Sequence, residues 1–455
     1  MPVIPVQYES LKAILPYMNP NTRFQISLRI PSVSSLESRI PLKVENLTFA
    51  GPFTEVNKVS FDLAVYRDYG RNETPPDVVR MNQRDDIDQY GVIIYPGLNN
   101  VLPGDIDFRT TVQEDVPVYT EEWEQGLVQQ LRILKMLLAE RLNEEYIEDD
   151  ETRNAGVDGP VNAFNETFRQ SILNHSVEFI QLKIQSLRDQ LSGYTNRRNN
   201  QNRPYTPWIQ FTTRSPKGVT IQRVAYNKYL YEARKTVHTK LFGNRDSSIS
   251  VKNLKIELHD HILRFPAGTI LKIENLEVAF WKSLAFERFK KIIHPSSLPI
   301  RRLKVSSSVL SADLRHTIAR EAKYLIINNL TSDNRSWTPI LQSLTNERVC
   351  LMNENNRNPP NNYMDLIENW LERGRPAETC FYIGIKKKET VKQCLDTLRQ
   401  RQEVIGSFEK KVQLRIDAAL MLEVSYDITK RHGRFLREDE SNWWLKLAVV
   451  PGRFD

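Results

Sequence analysis

The chain has 455 residues, room for two to four domains with large cores, and its 40% apolar and 26% charged shares are those of an ordinary soluble globular protein. A net charge of +7 is modest for this length. It permits an acidic partner but does not mark a nucleic-acid binder, which concentrates its charge. Cys350, Cys380 and Cys394 are too few and too far apart for a disulfide framework, so they read as reduced thiols of an intracellular protein.

Residues 1–19 hold no basic region followed by an apolar run, and nowhere do 18 apolar residues run together. Neither a secretory signal nor a conventional membrane span is expected, and the localisation expected is intracellular, cytoplasmic and/or nuclear.

Residues 8–30 read as helical: Leu11, Ile14, Leu15 and Met18 step by three and four before Pro20, and Phe24, Ile26 and Leu28 follow before Pro31. The serine-rich stretch 32–38 then leads into a strand at 42–49. Up to about Pro117 the chain is β-rich, with strict alternation at Val59, Phe61, Leu63 and Val65.

Residues 120–192 change character. Leu127, Leu131, Leu134 and Leu138 form one seam; Leu173, Val177, Ile180, Ile184, Leu187 and Leu191 form another. An acidic connector at 148–159 joins them, which predicts an antiparallel helical hairpin, and the polar tract 195–203 reads as a flexible linker. Ser215-Pro-Lys-Gly218 between 208–213 and 219–225 signals a β-hairpin. Beyond it, strands and helices alternate. Helices are expected at 229–242, 282–293, 312–320, 339–344, 363–373 and 389–402, with closing strands at 412–416, 420–426 and 444–450.

One phrase recurs: Val44-Glu-Asn-Leu47-x-Phe49, Val251-Lys-Asn-Leu254-x-Ile256 and Ile273-Glu-Asn-Leu276-x-Val278. The frame continues without the Asn at Ile300, Leu303 and Val305 and at Ala322, Leu325 and Ile327. The fourth-position leucines are 22, 27 and 22 residues apart from Leu254 to Leu325. Such spacing is that of leucine-rich repeats, whose strands must stack because no single unit can bury its apolar face. The consensus asparagine beyond the strand is replaced by His259, Trp281, Ser308 and Leu330, so the array is degenerate. The fold expected is α/β (α+β): N-terminal helices, then a degenerate leucine-rich-repeat-like strand/helix array with an inserted helical hairpin. Its parts are residues 1–40, a β-rich segment 41–118, the hairpin and linker 119–204, and the repeat-like domain 205–455.

Chemistry-bearing motifs are scarce. His259-Asp-His261 is the one tight set of metal ligands, and with no third or fourth ligand it reads as strand-end histidines. The acidic runs at 121–122 and 149–151 and the lysines at 386–388 and 410–411 read as solvated charge. No phosphate-binding glycine loop, nucleophile elbow or Cys-x-x-Cys is present. No cofactor, no metal and no catalytic centre are expected.

The segment from Tyr8 to Leu28 resembles an F-box, the three-helix motif that docks on the adaptor of SCF ubiquitin ligases. Its Ile-Leu stripe falls on Ile14, Leu15 and Met18, its Asp-Pro turn on Asn19-Pro20, and its apolar second helix on Phe24, Ile26 and Leu28. Val6-Gln7 stands where that motif begins Leu-Pro, and no tryptophan follows Leu28. Through YESLKAILPYMNPNTRFQISLRIPSV, PLKVENL, SPKGVTIQRVAYNKYL, TKLFGNR, VKNLKI, IENLEV, NWLERGRP and LKLAVVPG, the whole chain resembles the nematode F-box-like family of F-box C type. The resemblance implies a substrate-recognition subunit of an SCF-type ubiquitin ligase. Leu11, Ile14, Leu15, Met18, Phe24, Ile26 and Leu28 would meet the adaptor subunit, and the C-terminal domain would capture a protein target of unknown identity. Outward strand positions Lys255, Glu257, Glu277, Arg301, Arg302 and Lys304 are the natural target contacts, their mixed charge suiting protein more than nucleic acid. The alternative is a stand-alone interaction scaffold, in which the N-terminal helices only cap the array.

Overall fold

The computed structural model describes residues 8–51, 53–71, 84–98, 100–109, 120–152, 166–258, 261–280, 282–307, 311–329, 336–352, 362–385, 387–428 and 443–452. Helices Tyr8–Ile14, Pro20–Arg29 and Pro31–Arg39 come first, then strands β1 (Lys43–Ala50), β2 (Phe53–Val56) and β3 (Val59–Asp68). Short strands β4 (Asp86–Ile87), β5 (Ile93–Ile94) and β6 (Ile106–Asp107) precede helices Glu121–Leu142, Glu166–Leu173 and Val177–Arg198. The hairpin β7 (Thr206–Ser215) and β8 (Gly218–Ala225) leads to helix Leu230–Phe242. After it come β9 (Ile249–Glu257), β10 (Ile262–Leu263), β11 (Leu271–Val278), β12 (Arg302–Ser307) and β13 (Tyr324–Asn329). Then follow β14 (Arg348–Met352), β15 (Cys380–Ile385), β16 (Val404–Phe408), β17 (Lys411–Arg415), β18 (Leu420–Ile428) and β19 (Trp443–Pro451). Helices and a large mixed sheet make this an α/β protein.

The chain divides into two compact units. One gathers residues 1–58, 103–110 and 239–455; the other gathers 59–102 and 111–238.

In the first unit the sheet order is β2-β1-β9-β11-β12-β13-β14-β15-β19-β18-β17-β16. From β1 to β15 every neighbouring pair is parallel; β2, β19, β18, β17 and β16 pair antiparallel. The strands stack in one register. Leu47, Leu254, Leu276, Leu303, Leu325, Val349, Phe381 and Leu447 form a single row across eight strands, all of them buried. A second row runs parallel to it from Phe49 to Leu445. Short helices such as Ser283–Phe289 and Tyr363–Arg373 return the chain between strands and bury apolar residues of their own.

The 1-4-6 spacing of the recurring phrase has a physical cause. Between β1, β9 and β11 the pairing skips Glu45, Lys252 and Glu274, so residues three apart, Val44 and Leu47, face the same core. A regular strand would turn them to opposite sides. The irregular step is shared by all three strands and is therefore built into the stack.

In the second unit β3, β7 and β8 form an antiparallel sheet. Helices Glu121–Leu142 and Val177–Arg198 pack on each other through Leu127, Leu131, Leu134, Ile180, Ile184 and Leu187, the seams the heptads predict. The same cluster takes in Val92 and, partly buried, Tyr90. A Cβ on Gly193 would meet the Gly91 carbonyl carbon at 2.9 Å, so the second helix needs a glycine at that close approach.

Several elements differ from the sequence reading. The tract 195–203, expected as a flexible linker, is helical through Arg198. The second seam is split between helices Glu166–Leu173 and Val177–Arg198, the latter capped by the Ser176 side chain accepting from the Phe179 N–H. The serine-rich stretch at 32–38 is helical, within Pro31–Arg39. Pro31 at the first position pre-sets the helix, and Leu36 and Glu37 supply its buried face.

Candidate binding face

The face of the parallel sheet opposite the leucine row carries the polar part of each phrase. Asn253 Nδ2 donates to Asn46 Oδ1 at 2.9 Å, and Asn275 Nδ2 donates to Asn253 Oδ1 at 2.9 Å. Three adjacent strands are thus laced by an asparagine ladder. In the next rungs the same row continues as Arg302, Tyr324 and Arg348. Neighbouring strands lie about 4.8 Å apart, which places the two arginine backbones roughly 10 Å apart with the tyrosine between them.

The row beside it holds Lys255, Glu277 and Lys304, then Ile326, Cys350 and Tyr382. Lys304 sits 3.0 Å from Glu277, Lys255 2.5 Å from Glu257 and 4.0 Å from Glu277. These four predicted target contacts therefore lie together, half-buried, and largely neutralise one another. Arg301 is exposed and pairs loosely with Glu274 at 3.9 Å, while Arg302 is half-buried on the asparagine row.

Past β12 the face turns apolar. Ile326, Cys350, Met352 and Trp444 form a buried cluster edged by Tyr324 and Tyr382. Burial pushes the Cys350 thiol up to about 12, and Tyr324, which shares a hydrogen bond with it, is raised by burial too. Burial also pushes Cys394 up to about 12. At neutral pH both are uncharged thiols, poor nucleophiles.

A groove of about 900 Å³ runs over both halves of this face. Six basic side chains line it, Lys252, Arg301, Arg302, Lys304, Lys323 and Arg348, against three acidic ones, Glu45, Glu274 and Glu347. Glu45 is 3.5 Å from Lys252 and Glu274 is 3.9 Å from Arg301, and the lining as a whole carries more basic than acidic side chains around Tyr324. Sequence reasoning singled out the charged half and missed Tyr324, Arg348, Met352 and Tyr382, which come from separate strands lacking the Asn phrase.

Residues 229–387 match a family described as Domain of unknown function (DUF3557). The match spans less than half of the chain and includes strands β9 to β15, hence most of the groove. No curated protein and no solved structure matches the chain.

The N-terminal helices sit on the first unit through buried polar bonds. Arg23 lies 2.8 Å from Glu37, whose other oxygen is 2.9 Å from Arg245, and Arg23 also donates to the carbonyls of Ile40 and Pro41 at 2.9 Å. Phe24 packs edge-on against Phe242 at 5.9 Å. Of the seven residues assigned to an adaptor, Leu15 and Phe24 are buried within the fold. Leu11, Met18, Ile26 and Leu28 are half-buried, and Ile14 is 47% exposed. Tyr17, not among the seven, is 90% exposed and completes an apolar strip with Ile14. Its place three residues after Ile14 on the same stripe was the available signal.

His261 is described, whereas His259 and Asp260, with Trp281, Ser308, Leu330 and Lys386, lie outside the described residues. Among the described residues no helix is long and apolar enough to cross a membrane.

Proposed function

We propose that this chain is a substrate-recognition subunit of an SCF-type ubiquitin ligase, of the F-box-like kind its N-terminal segment resembles. In this reading Leu11, Ile14, Met18 and Tyr17 meet the adaptor, and the groove between the asparagine ladder and Trp444 holds a protein target. Catalysis belongs to other subunits. The observation that carries the reading is the exposed Ile14–Tyr17 strip on a helical segment that is itself bonded to the first unit, through Glu37 to Arg245 and through Asn21 to the Val56 carbonyl of β2. A cap with no partner would bury that strip, and docked helices concentrate their binding energy in a few such apolar anchors. The positive, partly aromatic groove favours an acidic target segment with an apolar anchor.

The test is affinity purification from cells with mass spectrometry. Ile14→Asp with Met18→Asp should abolish adaptor recovery and leave the target bound. Arg302→Glu with Arg348→Glu should do the reverse. Unchanged adaptor recovery from the first double variant would sink the ligase reading. It would leave a stand-alone scaffold, which the Arg23–Glu37–Arg245 lock favours because it makes the helices a fixed part of the first unit.

A further inference from the structure

All eight residues of β8 are exposed, and among the described residues its partner strand is β7 alone. The hairpin closes on the pair Ser215–Gly218 with two residues between. In a two-residue hairpin the closing pair exchanges both backbone hydrogen bonds, and such pairs recur at every second residue. Thr220, Gln222 and Val224 therefore bond to β7. Val219, Ile221 and Arg223 turn their N–H and C=O groups to the open side. The parity has a check in β7: Pro207, with no N–H to give, lies on the β8 side but beyond the last pair, Trp208–Ala225.

Open edges are normally guarded by bulges, prolines or charges. β8 has an unbroken register and contains no proline, aspartate, glutamate or lysine. Its one charge, Arg223, lies over the Tyr66 ring at 3.5 Å and bonds Gln210 Oε1 at 3.0 Å. Val219 and Ile221, 60% and 50% exposed, stand on the strand without cover. By comparison β16, an edge of the other unit's sheet, breaks register between Val404 and Gly406.

We propose that β8 is a homodimerisation strand, pairing antiparallel with β8 of a second copy about a two-fold axis at Ile221. The strand is complementary to its own reverse. Ile221 meets Ile221 of the second copy, Val219 meets the aliphatic stem of Arg223, and Thr220 meets Gln222 on the other face. About six backbone hydrogen bonds form across the axis. The two Arg223 backbones lie roughly 14 Å apart, beyond the ~8 Å screening length of physiological salt. So small an interface gives a weak, concentration-dependent dimer of isologous symmetry.

Sedimentation velocity on the full chain over a dilution series tests this. The wild type should pass from monomer to dimer as concentration rises. Ile221→Pro removes an N–H that β7 does not use, so it should keep the hairpin and sediment as monomer throughout. Ile221→Lys, which sets two ammonium groups face to face, should do the same without altering backbone geometry. A wild type that stays monomeric at every concentration, or a dimer that survives Ile221→Lys, overturns the proposal. A monomeric wild type would leave the edge to an unrelated strand.

Discussion

Single side chains fix both units from inside. Glu37 is buried between two guanidinium groups, and burial lowers the Arg23 pKa before Glu37 partly restores it. Glu37→Gln leaves two buried cations facing each other, a loss of the kind that costs about 3–5 kcal/mol. Denaturant unfolding should show that loss, and a midpoint unchanged from wild type would mean that Arg23 and Arg245 find other acceptors. In the second unit Asp86 accepts from the Tyr226 hydroxyl at 2.7 Å and from the first helical N–H, Leu230, at 2.8 Å. Burial outweighs those bonds and raises its pKa above the usual 3.8. A carboxyl raised in the folded state binds more protons folded than unfolded just above that value, so this stabilisation is lost as pH rises through the window. Asp86→Asn keeps an acceptor oxygen and drops the charge. Its melting temperature should therefore vary less between mildly acidic and neutral buffer than that of the wild type, and an equal slope would assign the titration to another group.

Elements owe their places to patterns of different legibility. The Val-x-Asn-Leu-x-Phe phrase announced β1, β9 and β11 because each copy holds its three core positions within six residues. β14 and β15 carry no such phrase and read as short apolar runs, which periodicity cannot assign. The helix Pro31–Arg39 was hidden because only Leu36 among its long apolar residues is buried. The asparagine ladder makes a graded prediction. Asn253 is the central rung, so Asn253→Ala breaks two bonds and should cost about 1–3 kcal/mol, against about 0.5–1.5 for Asn46→Ala, which breaks one. Equal losses in chemical denaturation would mean the ladder does not act as a chain. Leu276→Ala, in the middle of the buried row, should cost about 2–5 kcal/mol and lower the melting temperature clearly. The helical hairpin, read from sequence as an insertion, covers Val92 and Tyr90 and pairs Asp189 with the buried Arg67. Its replacement by a short linker should thus yield an aggregating protein, checked by light scattering of the purified deletion.

At the scale of the whole molecule, the groove was the least legible feature. Its lining runs from Glu45 to Trp444, and only the sheet order brings those positions side by side. The charged rung positions could be read from one strand at a time; the aromatic half could not, since Tyr324, Tyr382 and Trp444 look like core residues in their own segments. The parallel pairing of β1 with β9 has a further consequence, for how the chain is made. Asn46 and its partner Asn253 are 207 residues apart. At roughly 5–20 residues per second a ribosome needs roughly 10–40 s to deliver β9 after β1 has emerged. For that interval Val44, Leu47 and Phe49 have no parallel strand to cover them, and the first unit cannot nucleate from its own N-terminus. Nascent chains stalled before residue 249 should be held by chaperones or enter the insoluble fraction, whereas chains stalled beyond β13 should resist protease over residues 8–58.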